Sequence, residues 1–336
     1  MKYSGIDLHS NNCVVSVLDE TDSVVGEKRL PNDLSMIVGF LRRWPDVVGV
    51  VVESTYNWYW LVDGLQEAGF CVHLANTAAI KKYEGLKHSG DATDARYLAH
   101  LLRLSILPTG TILAKEARAI RDLGRKRIQL VRNRTMHILS VENITARQFG
   151  RRLTSNQVKQ LDAGAIEAMS LPTDVVLAVK ASVAVIDALS EQIELVESRL
   201  HESARPRPEY RLLMSVPGIG QILATIILLE TGPIERFAKV GNYASYARCV
   251  DSVRTSNGKK KGEGNAKNGN PYLCWAFVEA ANFARRYCGP AKQFYERKKA
   301  RTNRIVAIKA LAHKLARASF YILREGKPFD VARCFG

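Results

Sequence analysis

The first hundred residues switch between two hydrophobic periods. Lys2–Ile6, Cys13–Leu18 and Val24–Leu30 carry the short apolar runs of strands, the second and third joined by the polar turn Asp19–Asp22. Leu34–Trp44 has helical spacing, and Val47–Val52 (VVGVVV) is the unbroken β-branched run of a buried strand. A helix over Trp58–Ala68 ends at Gly69, and a strand follows over Cys71–Leu74. A further helix starts at Asp91 and runs to about Leu104.

Three meander strands followed by β–α units predict an α/β front, a mixed sheet with helices packed on it, in the order of ribonuclease-H-like folds. The rest reads as all-α. Val179, Ile186, Ile193 and Leu200 recur every seven residues, with Leu189 and Val196 three beyond the second and third, as in a heptad seam. Lys115 to about Gln148 is long, Arg-rich and helix-favouring, with Ile128, Val131, Ile138 and Val141 on one stripe. Two such helices suit an antiparallel hairpin, a coiled coil between subunits or an ordinary bundle core. After Tyr210, helices alternate with Gly-rich turns. A basic glycine-rich loop over Asn257–Asn270 then precedes helices over Tyr272–Arg286 and Asn303–Arg324. The expected domains are 1–110, 111–208 and 209–336.

Composition adds a partner. The 336 residues carry a formal charge of +16, unevenly spread. Residues 1–105 hold 10 Lys+Arg against 13 Asp+Glu, residues 106–210 hold 16 against 12, and residues 211–336 hold 23 against 8. An acidic front joined to a basic rear points to a polyanion gripped by the rear and worked on by the front. Six cysteines without CxxC or Cys/His ligand spacing suit reduced thiols. The longest apolar run, Ile222–Leu229, is far short of a membrane span, and the N-terminus lacks the pattern of a signal peptide. The expectation is a cytoplasmic, nucleoid-associated protein with no membrane partner.

Three constellations carry chemistry. In the first, Asp7 closes one apolar strand (GIDLHS) and Glu53 another (VVVES), while Asp91 and Asp94 open a helix (GDATDAR) with helical spacing that shares a face. Carboxylates gathered at strand ends repel one another unless neutralised. A pair of Mg²⁺ ions does that, and also activates an attacking oxygen and stabilises a leaving one at a phosphodiester. Singly, each has a plainer reading as a turn residue, a helix cap or a surface charge.

The second is SVPGIGQIL between two apolar helices, the pattern of a helix-hairpin-helix. Pro217, Gly218 and Gly220 would let backbone N–H groups approach a phosphate at the second helix's N-terminus without reading sequence. A tight helix–helix turn that only packs is the plainer reading. The third is RTSNGKKKG leading to KNGN. Arg254, Lys259, Lys260, Lys261 and Lys267 among glycines suit a nucleic-acid backbone. Ser256, or Ser252 four residues earlier, is a loop residue, a phosphate donor or an attacking hydroxyl.

In this order, GIDLHS, VVES, DATDAR, SVPGIGQILATIILLE, SNGKKKGEGNAKNGNPYL and the terminal KPFD resemble the DEDD transposases of bacterial insertion sequences. The family is the IS-one-ten family, most nearly its eleven-eleven subgroup, with Piv-type DNA invertases as relatives. The resemblance implies a RuvC-like first domain with an acidic tetrad at Asp7, Glu53, Asp91 and Asp94 holding Mg²⁺. It further implies a coiled-coil middle and a C-terminal transposase domain with a serine nucleophile at Ser256. It also implies donor and target DNA, a structured guide (bridge) RNA and a homodimer or homotetramer. Cys249-Val250-Asp251 departs from the Gly-Leu-x-Pro usual before the serine loop. Two rivals remain at this level. One is a RuvC-like nuclease or junction resolvase without a serine nucleophile, and the other is a non-catalytic nucleic-acid-binding protein.

Overall fold

The alternating front of the chain folds as a sheet, and the heptad-patterned middle as two long helices. The structure, a computed structural model, describes residues 1–80, 90–251, 254–262 and 268–336. Contacts divide the chain into two units, Met1–Ile112 and Leu113–Gly336.

In the first unit β1 (Lys2–Leu8), β2 (Asn12–Leu18) and β3 (Val24–Pro31) form an antiparallel meander. After α1 (Leu34–Leu41), strand β4 (Val47–Glu53) pairs parallel with β1. After α2 (Tyr59–Glu67), β5 (Val72–Ala75) pairs parallel with β4. Helix α3 (Asp91–Arg103) leads to β6 (Thr109–Gly110), a two-residue strand antiparallel to β5. The order is β3-β2-β1-β4-β5-β6. Side chains alternate across it, so each strand feeds two layers. Ile6, Leu8, Val50 and Val52 pack with Ile37, Leu41, Leu61 and Leu65 of α1 and α2. Val51 and Ala75 face Leu98 of α3 on the other side.

The second unit opens with α4 (Lys115–Phe149), ended by Gly150 in the left-handed conformation. Two short helices, α5 (Ser155–Val158) and α6 (Ala163–Glu167), precede α7 (Thr173–Ala204). The two long helices run antiparallel within the chain. Arg127 donates to Glu197 at 2.8 Å and Arg134 to Ser190 at 3.0 Å, while Ile138, Val141 and Ile144 interleave with Val179, Val183 and Ile186. The apolar seam is therefore spent inside one chain, as a hairpin.

Helices α8 (Pro208–Met214), α9 (Gln221–Thr231), α10 (Val240–Tyr246), α11 (Pro271–Tyr287), α12 (Gly289–Arg301), α13 (Arg304–Glu325) and α14 (Val331–Phe335) follow, with a 3-10 turn at Ile234–Arg236. Ile227, Phe277, Leu311 and Leu315 centre their core, and Ile128 from the base of α4 joins it. The basic loop differs from expectation: β7 (Arg254–Ser256) and β8 (Lys259–Gly262) form a hairpin. Asn257 and Gly258 have φ of 50° and 69°, the paired positive values of a type I′ turn, whose twist matches that of two strands. No helix among the described residues is long and apolar enough to cross a membrane.

Candidate active site

Gly5 decides where the acidic residues meet. A Cβ built there would lie 2.0 Å from the Ala95 carbonyl oxygen and 2.8 Å from the Ala99 nitrogen, so only glycine lets α3 settle backbone to backbone on β1. Asp91 stands one turn before Ala95, and Asp7 two residues after Gly5 on the same side of the strand. Docking the helix thus delivers Asp91 to Asp7. The β1–β4 register sets Ile6 opposite Val52, which carries Glu53 to the strand end beside Asp7. Glu53 shares its face with Val51, the face α3 covers. Asp94 sits with Asp91 in the first turn of α3, where carboxylates suit the positive end of the helix.

Among the described residues, the cluster that could hold an ion includes a residue absent from the expected set and does not include Glu53 or Asp94. Ligand atoms of Asp7, His9 and Asp91 lie within 4.8 Å of one another. His9 Nε2 is 3.3 Å from Asp7 Oδ2 and 3.3 Å from Asp91 Oδ2. A period-two reading of GIDLHS carries the signal, since His9 follows Asp7 by two residues. Arg29 on β3 also donates to Asp91, and this hydrogen bond holds the Asp91 carboxyl below the usual carboxylate range. Asp7 is buried, whereas Asp91 is open enough to meet a ligand.

These donors fit a divalent ion. Two carboxylates and an imidazole converge, and the imidazole's inward nitrogen is buried without a hydrogen-bond partner. In the tautomer that leaves this nitrogen unprotonated, its lone pair faces the same space as the two carboxylates.

Further polar contacts fasten α3 to the meander. Arg96 donates to Glu27 at 2.5 and 2.7 Å. His100 Nδ1 lies 2.7 Å from Asp22 Oδ2, and Arg103 donates to Asp22 Oδ1 at 2.8 Å. Asp22 holds a φ of 72°, which aspartate tolerates in a turn. Hydrogen bonds from Arg96 keep Glu27 ionised to lower pH than usual. At Asp22, burial opposes ionisation but the bonds from His100 and Arg103 outweigh it.

In the second unit, Pro217, Gly218 and Gly220 lie in the turn between α8 and α9. Gly218 has φ +85°, and a Cβ there would meet the Ala280 carbonyl oxygen at 2.2 Å and the Ala284 nitrogen at 2.6 Å. Its lack of a side chain thus already serves packing on α11. Gly220 caps α9 and is exposed, with nothing within 4 Å of a built Cβ, so the α9 N–H groups stay approachable.

Ser256 ends β7, paired with Lys259 across the turn; both are exposed, as is Lys261. Arg254 and Lys260 lie on the same two strands. Lys267 and Ser252 lie outside the described residues. The loop returns to α11 through a buried node. Asn270 caps α11 by accepting from Tyr272 N and Leu273 N, and donates to Glu230 at 2.7 Å. Glu230 also accepts from Arg125 at 2.6 and 2.8 Å, and the Arg125 guanidinium stacks 4.7 Å from the Tyr272 ring. Burial pushes the Cys249 thiol, at the start of this segment, up to about 12, which leaves it protonated and unreactive.

Two family models match, both of transposases. One, the DEDD transposase model of IS110 elements, matches residues 4–146, and the other, of the IS116/IS110/IS902 transposase family, matches residues 210–296. The chain is 23% identical over 337 residues to the transposase for insertion sequence element IS1328 of Yersinia enterocolitica, covering 97% of this chain and 98% of that one. It is 28% identical over 216 residues to an uncharacterized 43.6 kDa protein of IS110 from Streptomyces coelicolor, covering 63% of this chain. An uncharacterized 44.8 kDa protein of IS116 from Streptomyces clavuligerus is 24% identical over 146 residues, 43% of this chain. The matches span 50% and 37% of these two Streptomyces proteins. With one model on the acidic unit and the other on the glycine turn and serine hairpin, the chain belongs to the IS110 family of transposases.

Proposed function

We propose that this protein is the recombinase of an insertion sequence, cutting and rejoining DNA at the ends of its own element. The observation that carries this reading is the delivery of Asp91 to Asp7 by the Gly5 contact, in a unit matched by the DEDD transposase family. The sheet order, with α1 and α2 on one face and α3 on the other, supports a RuvC-like domain. Asp7, Glu53, Asp91 and Asp94 hold Mg²⁺. Bound there, the ion polarises a phosphodiester and steadies the charge that develops on its oxygens.

The chain's own groups do the rest. Ser256 supplies the attacking hydroxyl. Its Oγ bonds to phosphorus as the bond from phosphorus to a sugar oxygen breaks, so the cleaved end stays joined to the protein. Lys259 and Lys261 line the exposed hairpin beside it, and Arg254, Lys260 and Lys267 belong to the same basic segment. Cations there favour the developing negative charge. The turn at Pro217, Gly218 and Gly220 acts as a helix-hairpin-helix that grips a phosphate through the first N–H groups of α9. The α4–α7 hairpin forms a middle domain. A structured guide RNA and donor and target DNA are the polyanions that the basic rear holds, in a homodimer or homotetramer.

The test is incubation of the full chain with its element's junction DNA and Mg²⁺. A covalent protein–DNA adduct is expected, lost in Ser256→Ala, and strand exchange is expected to vanish in Asp7→Asn. An undiminished adduct in Ser256→Ala would remove the serine. Free ends with no adduct would instead establish a nuclease that uses water.

A further inference from the structure

Resting on that metal-centre reading, we propose that His9 is a direct nitrogen ligand of the divalent ion, and that it turns the centre's preference from Mg²⁺ toward Mn²⁺.

Three observations converge on His9. Its Nε2 lies 3.3 Å from one carboxylate oxygen of Asp7 and 3.3 Å from one of Asp91. Neighbouring ligands around an octahedral ion with bonds of about 2.1 Å stand about 3.0 Å apart, so the two separations from His9 match neighbouring positions of such a shell. The same nitrogen is buried and poised between the two carboxylates without an aligned hydrogen bond to one of them. A histidine kept only for packing would spend its inward nitrogen on a partner.

Its backbone is also tied on three sides. The His9 N–H donates to the Asn12 carbonyl at 2.9 Å, and the His9 carbonyl accepts from Asn32 at 3.0 Å and Asn57 at 2.9 Å. Asn32 follows β3 and Asn57 follows β4, so the imidazole stands on a peptide fixed by two neighbouring loops. Ligands held in advance in this way bind with less ordering cost. Nor is His9 needed to neutralise Asp91, because Arg29 already does so.

The donor type sets the preference. Carboxylates and water suit Mg²⁺, whereas imidazole favours transition ions. Among those, Mn²⁺ best accepts the oxygen-rich remainder of this site. Replacing one oxygen with nitrogen therefore raises Mn²⁺ affinity relative to Mg²⁺.

The experiment loads the full chain with Mn²⁺ alone, with no DNA, and reads electron spin-echo modulation from a directly bonded nitrogen. Calorimetric titrations with Mn²⁺ and with Mg²⁺ accompany it. Wild type should show the nitrogen coupling. In His9→Gln the coupling should vanish and Mn²⁺ affinity should fall roughly 10–100-fold, with a smaller fall for Mg²⁺. Mn²⁺ binding that disappears in Asp7→Asn yet shows no nitrogen coupling in wild type would overturn the role of His9 and leave the metal centre standing. Equal losses of both ions in His9→Gln would overturn the preference. No Mn²⁺ binding, or binding indifferent to Asp7→Asn, would overturn the centre itself and this inference with it. The spectroscopic reading on wild type holds even if a His9 variant fails to fold.

Discussion

Arg96 meets both carboxylate oxygens of Glu27, through Nε at 2.5 Å and Nη2 at 2.7 Å, and so ties the middle of α3 to β3. The pair is half exposed on the arginine side, so its value to global stability is small, on the order of 1 kcal/mol or less. Its value to the site is larger, because α3 brings Asp91 and Asp94. Arg96→Ala should leave the melting temperature nearly unchanged while weakening Mn²⁺ binding roughly tenfold, as expected for supports behind a metal ligand. Arg96→Lys should rescue it only in part, since an ammonium lacks the planar fork that meets the two oxygens in parallel. Calorimetry alongside thermal unfolding separates the two effects.

Acid should release the same helix. Asp22, Glu27 and Asp91 all titrate below their ordinary values of 3.8, 4.5 and 3.8 in the folded chain. Groups with depressed folded values stabilise the fold fully above the unfolded value, and that contribution fades as pH falls through the folded one. Melting temperature attributable to these contacts should therefore hold above about pH 5.5 and decline below about pH 4.5. Arg96→Ala should shrink the decline. A profile that is flat down to pH 3 would contradict this account.

The two glycines of the second unit's turn should separate cleanly. Gly218→Ala combines a positive φ with a Cβ 2.2 Å from the Ala280 oxygen, so it should cost about 1–3 kcal/mol or more and shift the denaturant midpoint. Gly220→Ala meets nothing, and should cost less than about 1 kcal/mol as a poorer cap. If the α9 N-terminus grips phosphate, Gly220→Ala should weaken DNA binding in a fold that stays intact, as measured by fluorescence anisotropy.

Glu230 holds Arg125 and Asn270 together, and it is buried. Glu230→Ala removes the shared acceptor of Asn270 and Arg125, leaving Asn270 Nδ2 with the Tyr246 hydroxyl at 3.3 Å and Arg125 with Asp122 at 3.8 Å, so a loss of about 1–3 kcal/mol is expected. Chemical denaturation measures it. Arg125→Ala should cost at least as much, because it leaves the buried Glu230 carboxylate without its cationic partner.

Much of the front unit was legible because its signals are local. The run VVGVVV announces β4, and period two along GIDLHS and VVVES turns Asp7 and Glu53 to a common face. Gly90-Asp91 likewise opens α3 where the pattern starts. The contacts that aim α3 were not legible. Arg29, Glu27 and Asp22 reach it from 62 to 81 residues away in sequence, and nothing in their own neighbourhood marks them. The heptads of α4 and α7 gave their apolar stripes but not their partner, since a hairpin and a subunit seam need the same pattern. The serine loop hid a hairpin behind its lysines, although Asn257-Gly258 is a strong turn signal. Helix α12 escaped because QFYERKKAR lacks a clear apolar stripe and Gly289-Pro290 reads as a break, although proline at a first turn favours a helix.

Because β1 and α3 touch through main-chain atoms at Gly5, their closest approach is set by backbone and not by a side chain at that point. Substitutions in the layer under α1 and α2 should therefore disturb the Asp7–Asp91 spacing less than ones at Val51, Ala75 or Leu98, which lie between the sheet and α3. The carboxylate spacing is thereby tied first to that backbone contact. Its most direct point of mutational fragility is the hydrogen that Gly5 carries in place of a side chain.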